Sequence, residues 1–504
     1  MYKVVFRNKY VFILLTMFLV QLFLVFYQSN IPRGSDQFWY IVDAESVAKE
    51  TFTTNNIFPN SISDDGNVLR PFVQNRPIVY IAGYLVKIGF NSLIAYKIIN
   101  IVSYLTILSL LFFSLRYLKF NIEITIGALC LLVASPLIIF SLFNALTNLF
   151  DAALFSMFIF SIFIFFNRNL NSIGHFIFLI FLALLYFLLI TQRTDFIIYT
   201  WATILVLTFI GLKNKTFNIY KILFLIVLVV LIHLMVVASN CLPSHLAGDV
   251  PKYGVLLTGV NPYFHNMVSY FAENSDFNTL TIMEILKVKI SLFFKSIFSP
   301  FNFLSFLYLF LLFIPVYFKS HTFNKIKPFE ILFIVLGLLN FAVLFGFQFQ
   351  YRYSIFLIAP SIFVIYNLFK EKILLLNINR FLIPLSLLVF FVFNYSTFNK
   401  LTAESAQSHS MLIQVKELNI SRDSKVAVIY NGGSSLIWSW LLKDVREVHY
   451  LLPNEMQETP NDLFDIKVYT ESTFKSRDKL PDESNYYKFG DYYVQLSELD
   501  DLKD

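Results

Sequence analysis

Charge is scarce in this chain. Only 14% of its 504 residues are Asp, Glu, Lys or Arg, where an ordinary soluble domain carries roughly a quarter, and that excludes a soluble globular protein. Cysteine is nearly absent as well. Cys130 sits in an apolar run and Cys241 at a helix end, so no disulfide framework or thiolate metal site follows from them. Glycine is rare, at 15 residues, and the sequence shows no two related halves, which argues against a transporter of Gly-broken helices and paired repeats. The Gly432-Gly433 pair after a strand lacks the spacing and the lysine of a nucleotide loop. Internal repeats and low-complexity linkers are missing. The net charge of +6 is scattered over short loops and points to no nucleic acid.

Hydrophobic residues are plentiful, at 57% with 60 Phe. Runs such as ILFLIVLVVLIHLMVVA over 222–238 are long enough to cross a hydrocarbon core of about 30 Å as helices. Only helices or closed barrels satisfy their backbone polar groups in lipid, and continuous apolar runs select helices. Spans are expected near 11–27, 94–116, 122–142, 148–166, 173–191, 195–212, 219–239, 301–318, 329–347, 353–369 and 381–397. Lys3, Arg7 and Lys9 precede the first span, and alternate loops carry Arg116 and Lys119, Arg168, Lys213, Lys215 and Lys221, Lys319, Lys325 and Lys327, and Lys370, Lys372 and Arg380. The excess of Lys and Arg on cytoplasmic loops then puts the N-terminus inside and the C-terminus outside. The first span is followed by YQSNIPRG, with no small-x-small cleavage pattern, and reads as a retained anchor.

The fold class expected is an all-α polytopic membrane protein of about eleven spans over 1–397, with outer loops at about 28–93 and 240–300. A small extracytoplasmic α/β domain follows over 398–504. That tail holds 18 of the chain's 33 acids, so it lives in a different solvent. KVAVIYNGG reads as a strand and Gly turn, SSLIWSWLLKD as a helix, and VREVHYLL and DYYVQL as further strands.

Ionisable residues able to do chemistry lie almost entirely at the outer ends of the spans. Ser35-Asp36-Gln37-Phe38-Trp39-Tyr40 follows the first span, and Asp36 there is either a base for an acceptor hydroxyl or the cap of an interfacial helix. Asp43, two helical turns on, is the rival base. Arg70-Pro71 and Asn75-Arg76-Pro77 offer guanidiniums that either grip a phosphate in bidentate fashion or snorkel to headgroups. Asp151 lies in the first turn of its helix, where the dipole favours a carboxylate, and an acid in a span also suits a functional cavity. Gln192-Arg193-Thr194-Asp195 forms an outer turn in which Arg193 and Asp195 are natural partners. Gln348-Phe349-Gln350-Tyr351-Arg352-Tyr353 places Arg352 and Tyr353 at the entry to a late span. His265, in the second outer loop, suits either acceptor binding or plain solvation.

The acid after the first span, Arg76-Pro77-x-x-Tyr80, Thr147-Asn148-Leu149-Phe150, Leu-x-x-Gln192-Arg193-Thr194-Asp195, and Arg352-Tyr353 ahead of Pro360 occur in the order seen in GT-C glycosyltransferases, and the sequence resembles that family. Size, span number and an outward C-terminal domain are also similar to the serotype-converting O-antigen glucosyltransferases. The resemblance departs at Gln37, where many relatives carry a second acid, and at Arg76, where many have Pro; the first leaves Asp36 and Asp43 both open, and no metal is assigned. It implies an inverting transferase in the bacterial inner membrane, taking a sugar, glucose by the narrower likeness, from a polyprenyl phosphate to a surface glycan such as O-antigen or lipopolysaccharide at the periplasmic face. Its partners would be the lipid-linked donor, the glycan acceptor and membrane lipid, with no cofactor. Asp36 or Asp43 would be the base, and Arg352, Arg193, Arg76 and Tyr353 would hold the donor phosphate. Asp151, Asp195, Arg70 and His265 would have secondary or acceptor roles.

Two other classes fit a multispanning chain. An O-antigen polymerase or ligase would place its largest, Arg-rich outer loop late, whereas here a large one follows the first span. A lipid-linked sugar flippase would carry charges near mid-membrane.

Overall fold

The structure, a computed structural model, describes residues 2–28, 35–49, 76–144, 147–167, 172–193, 196–213, 219–238, 283, 287, 290, 332, 335–339, 355–368, 379–429, 437–442, 445, 447–451, 463–470, 486–489 and 492–496. The helices are α1 (Tyr2–Tyr27), α2 (Ser35–Ala48), α3 (Pro77–Lys87), α4 (Ser92–Tyr117), α5 (Ile122–Val133), α6 (Pro136–Phe143), α7 (Asn148–Asn167), α8 (Ser172–Gln192), α9 (Phe196–Lys213), α10 (Ile219–Ala238), α11 (Ile358–Leu368) and α12 (Asn379–Glu417). Five short strands follow, β1 (Lys425–Ile429), β2 (Glu447–Leu451), β3 (Ile466–Thr470), β4 (Tyr486–Phe489) and β5 (Tyr492–Leu496), with α13 (Ile437–Leu441) between β1 and β2.

Among the described residues, three helical stretches are long and apolar enough to cross a bilayer, Lys9–Tyr27, Ser92–Tyr117 and Leu382–Glu417. The α5–α6 pair makes a fourth if taken as one span, and five shorter apolar helices accompany them. The span expected at 301–318 lies outside the described residues, and only 332 and 335–339 of the one at 329–347 are described.

The chain divides into two compact units. One comprises 1–27, 75–78 and 97–398, and the other 28–74, 79–96 and 399–504. In the first unit, the run expected as a single helix at 122–142 is two helices bent by 57°. Asn121 caps α5, its Oδ1 accepting the Ile124 N–H at 2.8 Å. The helix stops because Pro136 has no N–H to continue it and instead begins α6 at the position where a missing N–H costs nothing. Such a break strands carbonyls in an apolar setting, where an unpaired polar group costs several kcal/mol. Side chains from other helices take them up. Gln21 of α1 donates to the Val133 carbonyl at 3.0 Å and accepts from the Tyr104 hydroxyl at 2.8 Å. At the far end of α6, Asn100 of α4 donates to the carbonyls of Ser141 at 3.4 Å and Asn144 at 3.1 Å. Gln21, Asn100 and Tyr104 are fully buried.

In the second unit, the strands form one sheet of order β2-β1-β3-β5-β4. β1 pairs parallel to β2 and β3, and β5 runs antiparallel to β3 and β4. Alternate residues face opposite ways, so Val426, Val428, Ile466, Val468 and Val494 meet one apolar layer while Ala427, Ile429, Leu451 and Tyr469 meet another. The expected strands and helix are present. β3 and β4 are additions. The last span, expected to end near 397, continues without a break to Glu417. Its extension buries Leu401, Ser405, Ser408, Met411 and Val415, a stripe at helical spacing, and Met411 and Val415 join the core of the sheet.

Gln21→Leu is expected to orphan the Val133 carbonyl and the Tyr104 hydroxyl together, at about 1–3 kcal/mol each. Denaturation of the detergent-solubilised protein measures it, and an unchanged midpoint would mean these bonds do not support the break.

Candidate active site

The second unit holds the helix that bears the first pair of acids. α2 buries Gln37, Phe38, Tyr40, Ile41, Asp43, Ala44 and Val47, so it is an internal element and not the half-immersed interfacial helix the sequence suggested. Four contacts fix it. Phe38 lies in the core of the sheet, its ring 5.7 Å from that of Trp440. The Tyr96 hydroxyl donates to the Tyr40 carbonyl at 3.0 Å. Ser92 Oγ donates to Glu45 Oε1 at 2.9 Å. Gly83 of α3 lets the two helices touch, since a Cβ there would come within 2.4 Å of Val47 Cγ1 and 3.1 Å of the Ala44 carbonyl. Asp36 lies in the first turn of α2, and its side chain lies outside the described ones. Asp43 is 1% exposed. Trp438 is a core residue packed edge-on to Tyr492 at 5.7 Å.

The first unit gathers a different cluster around Asp151, which is 1% exposed at the start of α7. Its Oδ1 accepts from Gln192 Nε2 at 2.9 Å. Its Oδ2 accepts from Arg193 Nη1 at 3.4 Å and from Thr147 Oγ1 at 3.4 Å. A buried carboxylate is tolerable when donors surround it in this way. Gln192, with no exposure, turns its other end to the backbone, and its Oε1 accepts the Ile78 N–H at 3.3 Å. The start of α3, and with it Arg76, is thereby tied to the turn after α8. Sequence proximity offered Asp195 as the partner of Arg193; the ion pair found is with Asp151, 42 residues away, and Asp195 lies outside the described residues.

Arg193 also lies over the ring of Phe196, 5.5 Å from its centroid. Phe196 packs on Phe356 at 5.5 Å, and Phe356 meets Phe155 at 4.9 Å and Tyr199 at 4.8 Å. The entry to α11 is thus held against α7 and α9. Arg352 and Tyr353, just before it, lie outside the described residues, as do Arg70, His265 and Gly432-Gly433. Among the described residues no cluster of His, Cys, Asp or Glu could hold a metal ion.

Lys97 of α4 escaped the sequence reading. It is 1% exposed, and a lysine inside an apolar run near a helix N-terminus, where the dipole opposes it, is the signal that marked it.

No family model matches the sequence, and no curated protein matches it. Among solved structures, ArnT from Cupriavidus metallidurans bound to undecaprenyl phosphate superposes over 97% of both chains at 10% identity, with a TM-score of 0.56. The chain has the GT-C fold. The same ArnT in the apo state matches over 97% of this chain and 98% of its own at 10% identity and a TM-score of 0.48. The Archaeoglobus fulgidus oligosaccharyltransferase tethered to an acceptor peptide matches over 92% and 69% at 10% identity and 0.49. The segments on which the sequence resemblance rests fall, where described, on α2, the start of α3, the start of α7 and the turn after α8.

Gly83→Ala is expected to destabilise the protein by about 1–3 kcal/mol through overpacking against α2, and Val47→Gly in the same chain, which removes the Cβ 2.5 Å away as well as Cγ1, to recover part of the loss. A double-mutant cycle of thermal midpoints measures the coupling; additive effects would separate the two sites.

Proposed function

We propose that this chain is an integral-membrane glycosyltransferase that moves a sugar from a polyprenyl-phosphate donor to a cell-surface glycan on the outer face of the bacterial inner membrane. Glucose and O-antigen are the sugar and acceptor that the sequence resemblance favours. The observation that carries the reading is the Asp151–Gln192–Ile78 chain of hydrogen bonds, which draws the backbone beside Arg76 to the turn bearing Arg193. Two guanidiniums at neighbouring helix ends suit an anion at a lipid boundary. ArnT, whose structure holds undecaprenyl phosphate, matches this chain from end to end, which supports the same ligand class here.

The chemistry assigns a role to each group. Asp36 takes the proton of the acceptor hydroxyl, the oxygen attacks the anomeric carbon, and the bond from that carbon to the phosphate oxygen breaks. One displacement inverts the anomeric centre. Charge developing on the departing phosphate is stabilised by Arg76 and Arg193, joined by Arg352 and Tyr353. Asp43, on the same helix as Asp36, is the rival for the base. The distribution of Lys and Arg supports an N-terminus inside and the C-terminal sheet outside, with Arg70, Asp195 and His265 on the acceptor side.

Transfer from a synthetic polyprenyl-phosphate sugar, assayed with purified protein, tests the reading. Asp36→Asn is expected to slow turnover by about 10²–10⁴, and full activity in that variant would remove Asp36 from the role. Arg193→Gln is expected to raise KM for the donor about tenfold, equivalent to about 1.4 kcal/mol, and an unchanged KM would take Arg193 away from the phosphate. Product of retained anomeric configuration, read by NMR, would overturn the single displacement.

A further inference from the structure

Resting on that donor reading, we propose that Gln192 is a positioning residue for the donor phosphate, a neutral relay that sets the two guanidinium-bearing segments in register. Its side chain joins three segments at once. Nε2 donates to Asp151 at the start of α7, Oε1 accepts from Ile78 at the start of α3, and its own backbone ends α8. Pro77 brings no N–H, so the Ile78 N–H is the first that α3 has to place, and it lies within a residue that is fully buried. Water cannot take it. The amide of Gln192 therefore holds this helix end, and Arg76 sits two residues before the bond while Arg193 directly follows Gln192 in the chain.

The amide is suited to this because it donates at one end and accepts at the other. The Asp151 carboxylate can only accept and the Ile78 N–H can only donate. Any residue between them has to present a donor to the first and an acceptor to the second while adding no charge. Glu fails at the Asp151 end, and Met fails at both. The carboxylate of Asp151 meanwhile holds Arg193 at 3.4 Å, so one acid orients a guanidinium directly and, through Gln192, the segment bearing the other.

The test uses the full-length protein in detergent micelles or nanodiscs, with polyprenyl phosphate lacking a sugar as the binding probe and transfer from the glycosylated lipid as the second readout. Gln192→Met is expected to weaken probe binding and raise donor KM by about tenfold or more while kcat moves by less than about threefold. The reversed pair Asp151→Asn with Gln192→Glu restores a donor at 151 and acceptors at 192 with the same total charge, and is expected to regain most of the binding lost in Gln192→Met. Unchanged probe binding in Gln192→Met overturns the proposal. Should that variant fail to fold, the reversed pair decides: a folded double variant binding no better than Gln192→Glu alone overturns it. A native protein that neither binds the probe nor transfers sugar overturns the donor reading itself, and this inference falls with it, whereas native binding with an indifferent Gln192 leaves the donor reading standing.

Discussion

Helices in an apolar setting can end only where something else completes their hydrogen bonds, and the described part of this protein is organised around that demand. The break between α5 and α6 is bearable because Gln21 reaches across to the Val133 carbonyl, and the end of α6 because Asn100 reaches the carbonyls there. The start of α3 is bearable because Gln192 reaches the Ile78 N–H. In each case one uncharged amide from a distant helix replaces what water would supply at a soluble protein's surface. These amides are the points at which helix ends, the natural places for polar chemistry, become fixed relative to their neighbours.

The candidate site grows from the same demand. Asp151 is held by a glutamine amide, a guanidinium and a threonine hydroxyl, so its charge is spent on orientation and not on solvent. Phe196 serves both as the surface under Arg193 and as part of the aromatic group that seats the entry to α11. In the other unit, α2 is locked from several sides by Phe38, Tyr40, Glu45 and Val47. Acids on such a helix are carried by a rigid element.

Much of this was legible in the chain, and what was not has a physical reason. Apolar runs marked α1, α4 and α7 to α10 because a span needs little beyond length and grease. Pro136 in the middle of 122–142 is a helix breaker in plain view, yet the Val133 carbonyl at the break is satisfied from a residue 112 positions away, and no local pattern shows that. Arg193 illustrates the same limit. Asp195 is near in sequence, but the partner is Asp151, brought in by the packing of α7 on α8. Gln192 looked like a turn residue because amides advertise no charge. The stripe of Leu401, Met411 and Val415 was hidden in a tail rich in acids, where overall polarity masked a helical period. Lys97 was overlooked inside a run read only for its hydrophobicity.

Phe38 comes from the segment right after the first helix, yet it sits in one apolar core with Val426, Val468 and Trp438 from the end of the chain. The two stretches are therefore heirs to one another's substitutions, although some 390 residues of sequence lie between them. Chimeras that exchange the C-terminal region between related chains would carry a mismatched socket for that ring unless residues 35–48 travelled with it. Diversification by shuffling is correspondingly constrained: the tail can drift at its rim, but its interior and α2 have to change together.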